Sequence, residues 1–165
     1  MCIFKAKPPT ERAYTEWVRT QVGDIPRFHM PFAFAVKFLE TQGIHCMLRP
    51  GDYPDANIYY TTEKFVAKMV PFLTYPADYY VGEFDVDCDD YSRWASADAT
   101  RFFRVSGIVQ CWGCVNVNNK QEYHAFNLSL TSESSYKLFE PNSAFPWAGT
   151  LFSRGDNSYE PDKWK

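Results

Sequence analysis

The chain contains no run of about 18 uninterrupted apolar residues, the length that a membrane-spanning helix needs, so a membrane partner is not expected. It also lacks any run of lysine or arginine, and its formal charge is -3. Binding to phosphate normally leaves a net basic face, so a nucleic-acid partner is not expected either. The first nine residues, Met1 to Pro9, hold only a few apolar side chains before charge and proline interrupt them. That is not the pattern of a secretory signal, and a cytoplasmic location is the expectation. No internal repeat and no low-complexity tract is present. Cysteine is sparse and odd in number, five in all, which suits a reducing compartment better than a disulfide framework.

What is present is ample apolar content. With 45% hydrophobic residues in a length of 165, one domain over 1–165 can bury its core without disulfide or metal staples. Aromatics reach 18%, a share that a packed α+β core can absorb. Three helices are predicted in a mainly helical part, residues 1–78. The first follows the capping-type residue Thr10, with Ala13, Tyr14, Trp17 and Val18 at helical spacing. The second runs from about Pro31 to Gln42, with Phe34, Phe38 and Leu39 on one face and Gly43 as its stop. The third runs from Thr62 to about Val70, after the turn chemistry of Gly51 to Asn57.

Residues 79–152 change register. Cys88 to about Phe102 is predicted to be a helix, with Asp87 as N-cap, Asp89 and Asp90 in the first turn, and Tyr91, Trp94 and Ala95 facing inward. Val105 to Val117 and Glu122 to Leu130 are predicted strands joined by a hairpin at Asn118-Asn119-Lys120-Gln121, and Tyr136 to Pro141 is a third. The polar tail, 153–165, is expected to be partly loose.

Chemistry enters at Cys88. A nucleophilic thiol needs a base for its proton and surroundings that favour the thiolate, and a helix N-terminus turns unpaired amides toward the sulfur. His124, in Tyr123-His124-Ala125-Phe126-Asn127, is the candidate base, and Glu140 at the end of the next strand is the candidate group that orients the imidazole. The Cys88 amide is one expected oxyanion donor; Tyr80, Asn127 and Asn142 are candidates for a second or for supporting roles. Asp85, Asp87, Asp89 and Asp90, with Glu83 nearby, form an acidic collar that opposes thiolate formation unless a cation or an outward orientation relieves it. The collar is not an EF-hand loop, because Asp90 stands where glycine is needed and Ser96 where glutamate is needed.

The motifs Asp87-Cys88-Asp89-Asp90-Tyr91, His124-Ala125-Phe126-Asn127 and Leu138-Phe139-Glu140-Pro141, in that order and at those separations, resemble the papain-like C-terminal domain of the Marasmius oreades agglutinin and related short phage and bacterial proteins. The resemblance covers about Tyr79 to Pro141. It implies a papain-like α+β fold, a nucleophile-bearing helix packed on a small antiparallel sheet, and a calcium-dependent cysteine protease acting on protein or peptide. It also implies Cys88 as nucleophile, His124 as general base and acid, and Glu140 as the orienting carboxylate. The agglutinin's β-trefoil lectin module has no counterpart here, and Asn142 stands where the family usually has glutamine.

Other readings accompany this one. Cys88 alone reads equally as a buried structural thiol, His124 as a structural strand residue, and the collar as a solvated helix cap. A non-catalytic interaction protein of the same fold, for example a phage-encoded one acting on a host component, is the second functional expectation. Cys111-Trp112-Gly113-Cys114 lies in a predicted strand, where positions three apart face opposite sides, so it is not expected to act as a redox or zinc pair. His29, His45, Cys2 and Cys46 belong to no motif.

Overall fold

The computed structural model describes residues 10–82, 85–117 and 120–165; Met1 to Pro9, Glu83 and Phe84, and the expected hairpin residues Asn118 and Asn119, lie outside them. The first helix, α1 (Glu11–Val22), starts where its cap is: Thr10 Oγ1 accepts the Ala13 N–H at 3.3 Å. The third, α3 (Glu63–Met69), follows Thr62 and tightens into a 3-10 turn at Val70–Leu73. The second, α2 (Phe32–Thr41), has its expected bounds but another buried face: Phe32, Ala35, Val36 and Leu39 point inward while Phe34 is 64% exposed. The spacing i, i+3, i+4, i+7 from Phe32 is the more complete apolar stripe, and it wins over the stripe through Phe34.

Residues 1–78 are less helical than expected. β1 (Phe28–Pro31) pairs antiparallel with β3 (Asn57–Tyr60) in a separate ribbon. β2 (His45–Cys46) joins the main sheet. Strands of two to four residues are too short for alternation to register in sequence; their pairing partners define them.

The main sheet holds β4 (Ile108–Val117), β5 (Lys120–Ser132), β6 (Ser135–Phe139) and β7 (Glu160–Trp164), in the order β2-β7-β4-β5-β6. The expectation of a loose tail is overturned. β7 runs antiparallel to β4 and parallel to β2, with Trp164 and Tyr159 at 0% and 1% exposure. Burying those two rings outweighs the polar residues between them, since an aromatic side chain contributes about 2 to 3 kcal/mol when removed from water. Gly113 makes the approach feasible: a Cβ there would overlap the Glu160 carbonyl. The glycine of the Cys-Trp-Gly-Cys stretch thus serves strand packing.

The fourth helix, α4 (Cys88–Asp98), has the expected Asp87 cap as a capping box and continues through a wider π turn, Ala99–Phe103. It lies across β4 and β5 and is pinned there by polar contacts. Ser92 Oγ donates to the Phe126 carbonyl at 2.6 Å, and Gln110 Nε2 to the Asp89 carbonyl at 2.8 Å. Alternation along β5 turns Ala125 and Asn127 toward α4, and His124, Phe126 and Leu128 to the opposite face, where α2 and Trp164 complete the larger core cluster. Among the described residues, no helix is long and apolar enough to cross a membrane.

Candidate active site

Cys88 and His124 belong to opposite sides of the sheet, and they meet around its edge. β6 stops at Phe139; continuing its register would bring Pro141 opposite Ala125, but a proline has no N–H to donate and the chain turns away, its carbonyl accepting Tyr75 N–H at 2.7 Å. The Ala125 amide points to the vacated position and donates to Cys88 Sγ at 3.5 Å. The sulfur therefore sits at the free edge of β5, one residue from His124 and close enough to act on the imidazole's pKa.

The imidazole's other side is fixed. His124 Nε2 lies 2.8 Å from Glu140 Oε2, which leaves Nδ1 for the thiol. The His124 side chain is 11% exposed and Glu140 1%, so neither is free to wander. Phe126 stacks beside the ring, Phe145 packs on it at 5.2 Å and Tyr159 meets it edge-on at 6.2 Å. Burial alone would lower the imidazole pKa, but the hydrogen bonds to Cys88 and Glu140, and their negative charges, outweigh it and raise the value to about 10. The shift favours the protonated ring, which faces a sulfur at a helix N-terminus.

Glu140 is held from three directions. Its Oε1 accepts the Asn142 backbone N–H at 2.9 Å, and its Oε2 accepts both His124 and the Tyr159 hydroxyl, each at 2.8 Å. Three donors satisfy a carboxylate that burial removes from water. Asn142 is thus a supporting residue through its backbone, while its side-chain oxygen closes the next turn by accepting Ala144 N–H at 2.9 Å.

Asn127 does not serve as an oxyanion donor. It points to α4, where its amide nitrogen is committed to Ser92 O, Ser96 Oγ and Val109 O at 2.9, 3.0 and 3.2 Å. The strand's period of two explains this, because Asn127 is three positions from His124 and faces the other way. Tyr80 is about half exposed on the segment leading to α4. The donors that the fold puts nearest the sulfur are backbone amides, those of Ala125 and of Cys88 itself in the first helical turn, where no intrahelical acceptor exists.

The acidic collar is partly relieved from within. Arg93 pairs with Asp89 and, at 3.0 Å, with Asp90. Asp87 Oδ1 accepts Asp89 N–H at 3.0 Å, and Asp85 stands exposed outside the cluster. Oxygens of Asp87, Asp89 and Asp90 lie within 4.8 Å of one another, a hard-oxygen donor set of the type calcium takes. Their mutual hydrogen bonding, burial and the Asp87 charge raise the pKa of Asp89 despite Arg93. Arg93 already pairs with two of these three carboxylates, Asp89 and Asp90. Neither half of Cys111 and Cys114 is near this chemistry: they are free thiols on opposite faces of β4, and burial pushes the Cys111 pKa up.

Tyr159, Arg93 and Phe145 were not legible as members of the site. Arg93 had a signal, three and four residues after Asp90 and Asp89 on a predicted helix. Tyr159 had only its aromaticity in a polar tail. Of the clefts elsewhere, one of about 460 Å³ is lined by Arg19, Arg27 and Arg104 and another of about 470 Å³ by His29, Phe34 and Phe38; neither includes Cys88. No protein family, curated protein or solved structure matches the chain.

Proposed function

We propose that the chain is a papain-like cysteine hydrolase, most simply a peptidase, working through Cys88, His124 and Glu140. The observation that carries this reading is the convergence of the three side chains from α4, β5 and the end of β6 on one sheet edge, with the imidazole bridging sulfur and buried carboxylate. Glu140 orients the ring and supports the imidazolium. Cys88 attacks a carbonyl as the thiolate, and His124, already holding the proton on Nδ1, passes it to the leaving amine; water then releases the acyl group with His124 as base. The Cys88 amide, in the first turn of α4, is the donor available to the developing oxyanion, while the Ala125 amide is given to the sulfur. The open position of the sulfur at a sheet edge suits an extended peptide better than an enclosed small molecule.

Two measurements test this together. Cys88 in the folded chain is expected to react with iodoacetamide faster than an unstructured thiol below pH 8, and Cys88→Ala to lose all peptide cleavage. A rate equal to that of an unstructured thiol would remove the hydrolase reading. It would favour the second proposal, an interaction protein that keeps the fold without turnover, for which the collar and the exposed Tyr79, Tyr80 and Val81 are the supporting features. Calcium belongs to the proposal only as an alternative to Arg93 at Asp87, Asp89 and Asp90. An alkylation rate that is the same in calcium and in chelator would remove it.

A further inference from the structure

The hydroxyl of Tyr159 reaches Glu140 Oε2 at 2.8 Å, and an ionised carboxylate has no proton to give, so the phenol is the donor. It remains a donor throughout the working range, because burial and the Glu140 charge push its pKa up. The ring cannot swing away. Phe126 and Phe152 hold it at 4.8 and 4.9 Å, Trp147 at 6.0 Å, and its own edge-on contact with His124 is at 6.2 Å. The chain is fixed immediately afterwards by β7.

The titratable groups around Glu140 are His124 from β5, Cys88 from α4 and Tyr159 ahead of β7. The His124 hydrogen bond is the one that changes strength as the imidazole gains and loses its proton, and Asn142 N–H occupies the other oxygen. Among the described residues, Tyr159 is thus the side chain that holds Oε2 whatever the state of His124.

We infer that Tyr159 is a positioning residue of this site: its hydroxyl locks Glu140 Oε2 beside His124 Nε2, so that the carboxylate holds the imidazole in the orientation that faces Cys88. The inference rests on the Cys88–His124–Glu140 reading. Without the hydroxyl, Glu140 Oε2 keeps only His124 as a side-chain partner, and the carboxylate and the ring it orients are free to turn together.

The test is read at one pH near neutrality in the full chain, by the rate of Cys88 alkylation with iodoacetamide, followed by the mass of the Cys88 peptide so that the other thiols do not enter, and by the proton NMR signal of the His124 Nε2–H, which reports its hydrogen bond to Glu140. Tyr159→Phe keeps the ring packing; it should move that signal and slow alkylation about tenfold. A monofluorinated tyrosine placed at 159 keeps the shape and strengthens the donor, and should move the signal the opposite way. If Tyr159→Phe fails to fold, the fluorinated chain decides alone. A His124 signal and an alkylation rate that neither folded variant changes overturn the role of Tyr159 while leaving the triad standing. A wild-type Cys88 that reacts no faster than an unstructured thiol overturns the triad itself.

Discussion

At the scale of single residues, His124 is the group with the most to report. Its pKa rises from 6.5 in the unfolded chain to about 10 in the fold. A raised value means that the folded state holds the proton more tightly, so the stabilisation is fully present below about pH 6.5 and is lost as pH rises through about 10. Comparing wild type with His124→Phe by denaturant unfolding, the pH-dependent part of the difference should be flat in mildly acidic solution and fade toward pH 10. A difference that grows over that range would mean that the imidazole is held neutral. Glu140→Gln should slow Cys88 alkylation near neutrality by tenfold or more, because it removes the charge that supports the imidazolium; a proton NMR titration of His124 should show its pKa falling. Cys88, His124 and Glu140 were legible from their order and residue types. Tyr159 was not, because nothing local joins position 159 to position 140.

At the scale of elements, α4 shows how local and distant contributions divide. Its start is local: Asp87 caps it, and Asp87→Ala should cost about 1 kcal/mol in thermal or denaturant unfolding. Arg93→Ala should be nearly neutral for stability, since exposed i,i+3 and i,i+4 pairs contribute under about 1 kcal/mol. It should nevertheless slow Cys88 alkylation near neutral pH, because it uncovers the charges of Asp89 and Asp90 beside the thiol. Its placement on the sheet, by contrast, depends on Gln110, Asn127 and Ser92, each of which reads in sequence as an ordinary polar residue. For α2, periodicity predicted the bounds but chose the wrong face, because two overlapping stripes satisfy the same spacing and only packing against Trp164 and Tyr53 selects the one through Phe32.

At the scale of the whole molecule, the last strand is the decisive element. β7 lies between β2 and β4, so the end of the chain ties the first third to the β4–β5 hairpin. Trp164→Ala should destabilise by about 3 to 5 kcal/mol, whereas a loose tail would tolerate it; equilibrium unfolding separates the two. Gly113→Ala should also destabilise and should displace Glu160 and Tyr159, reducing Cys88 reactivity along with stability. The sequence by itself determined the helices, the pairing of β4 with β5 and the cap at Asp87, because caps, periodicity and turn residues act between neighbours, and it nominated Cys88, His124 and Glu140, which the fold brings together. Only the tertiary structure decided that β7 exists, that Asn127 faces away from the thiol, and that Tyr159 and the Ala125 amide complete the surroundings of Glu140 and Cys88. Those contacts join residues 19 and 37 positions apart, and they arise from the burial of aromatic rings and the ending of one strand beside another, which no local pattern records.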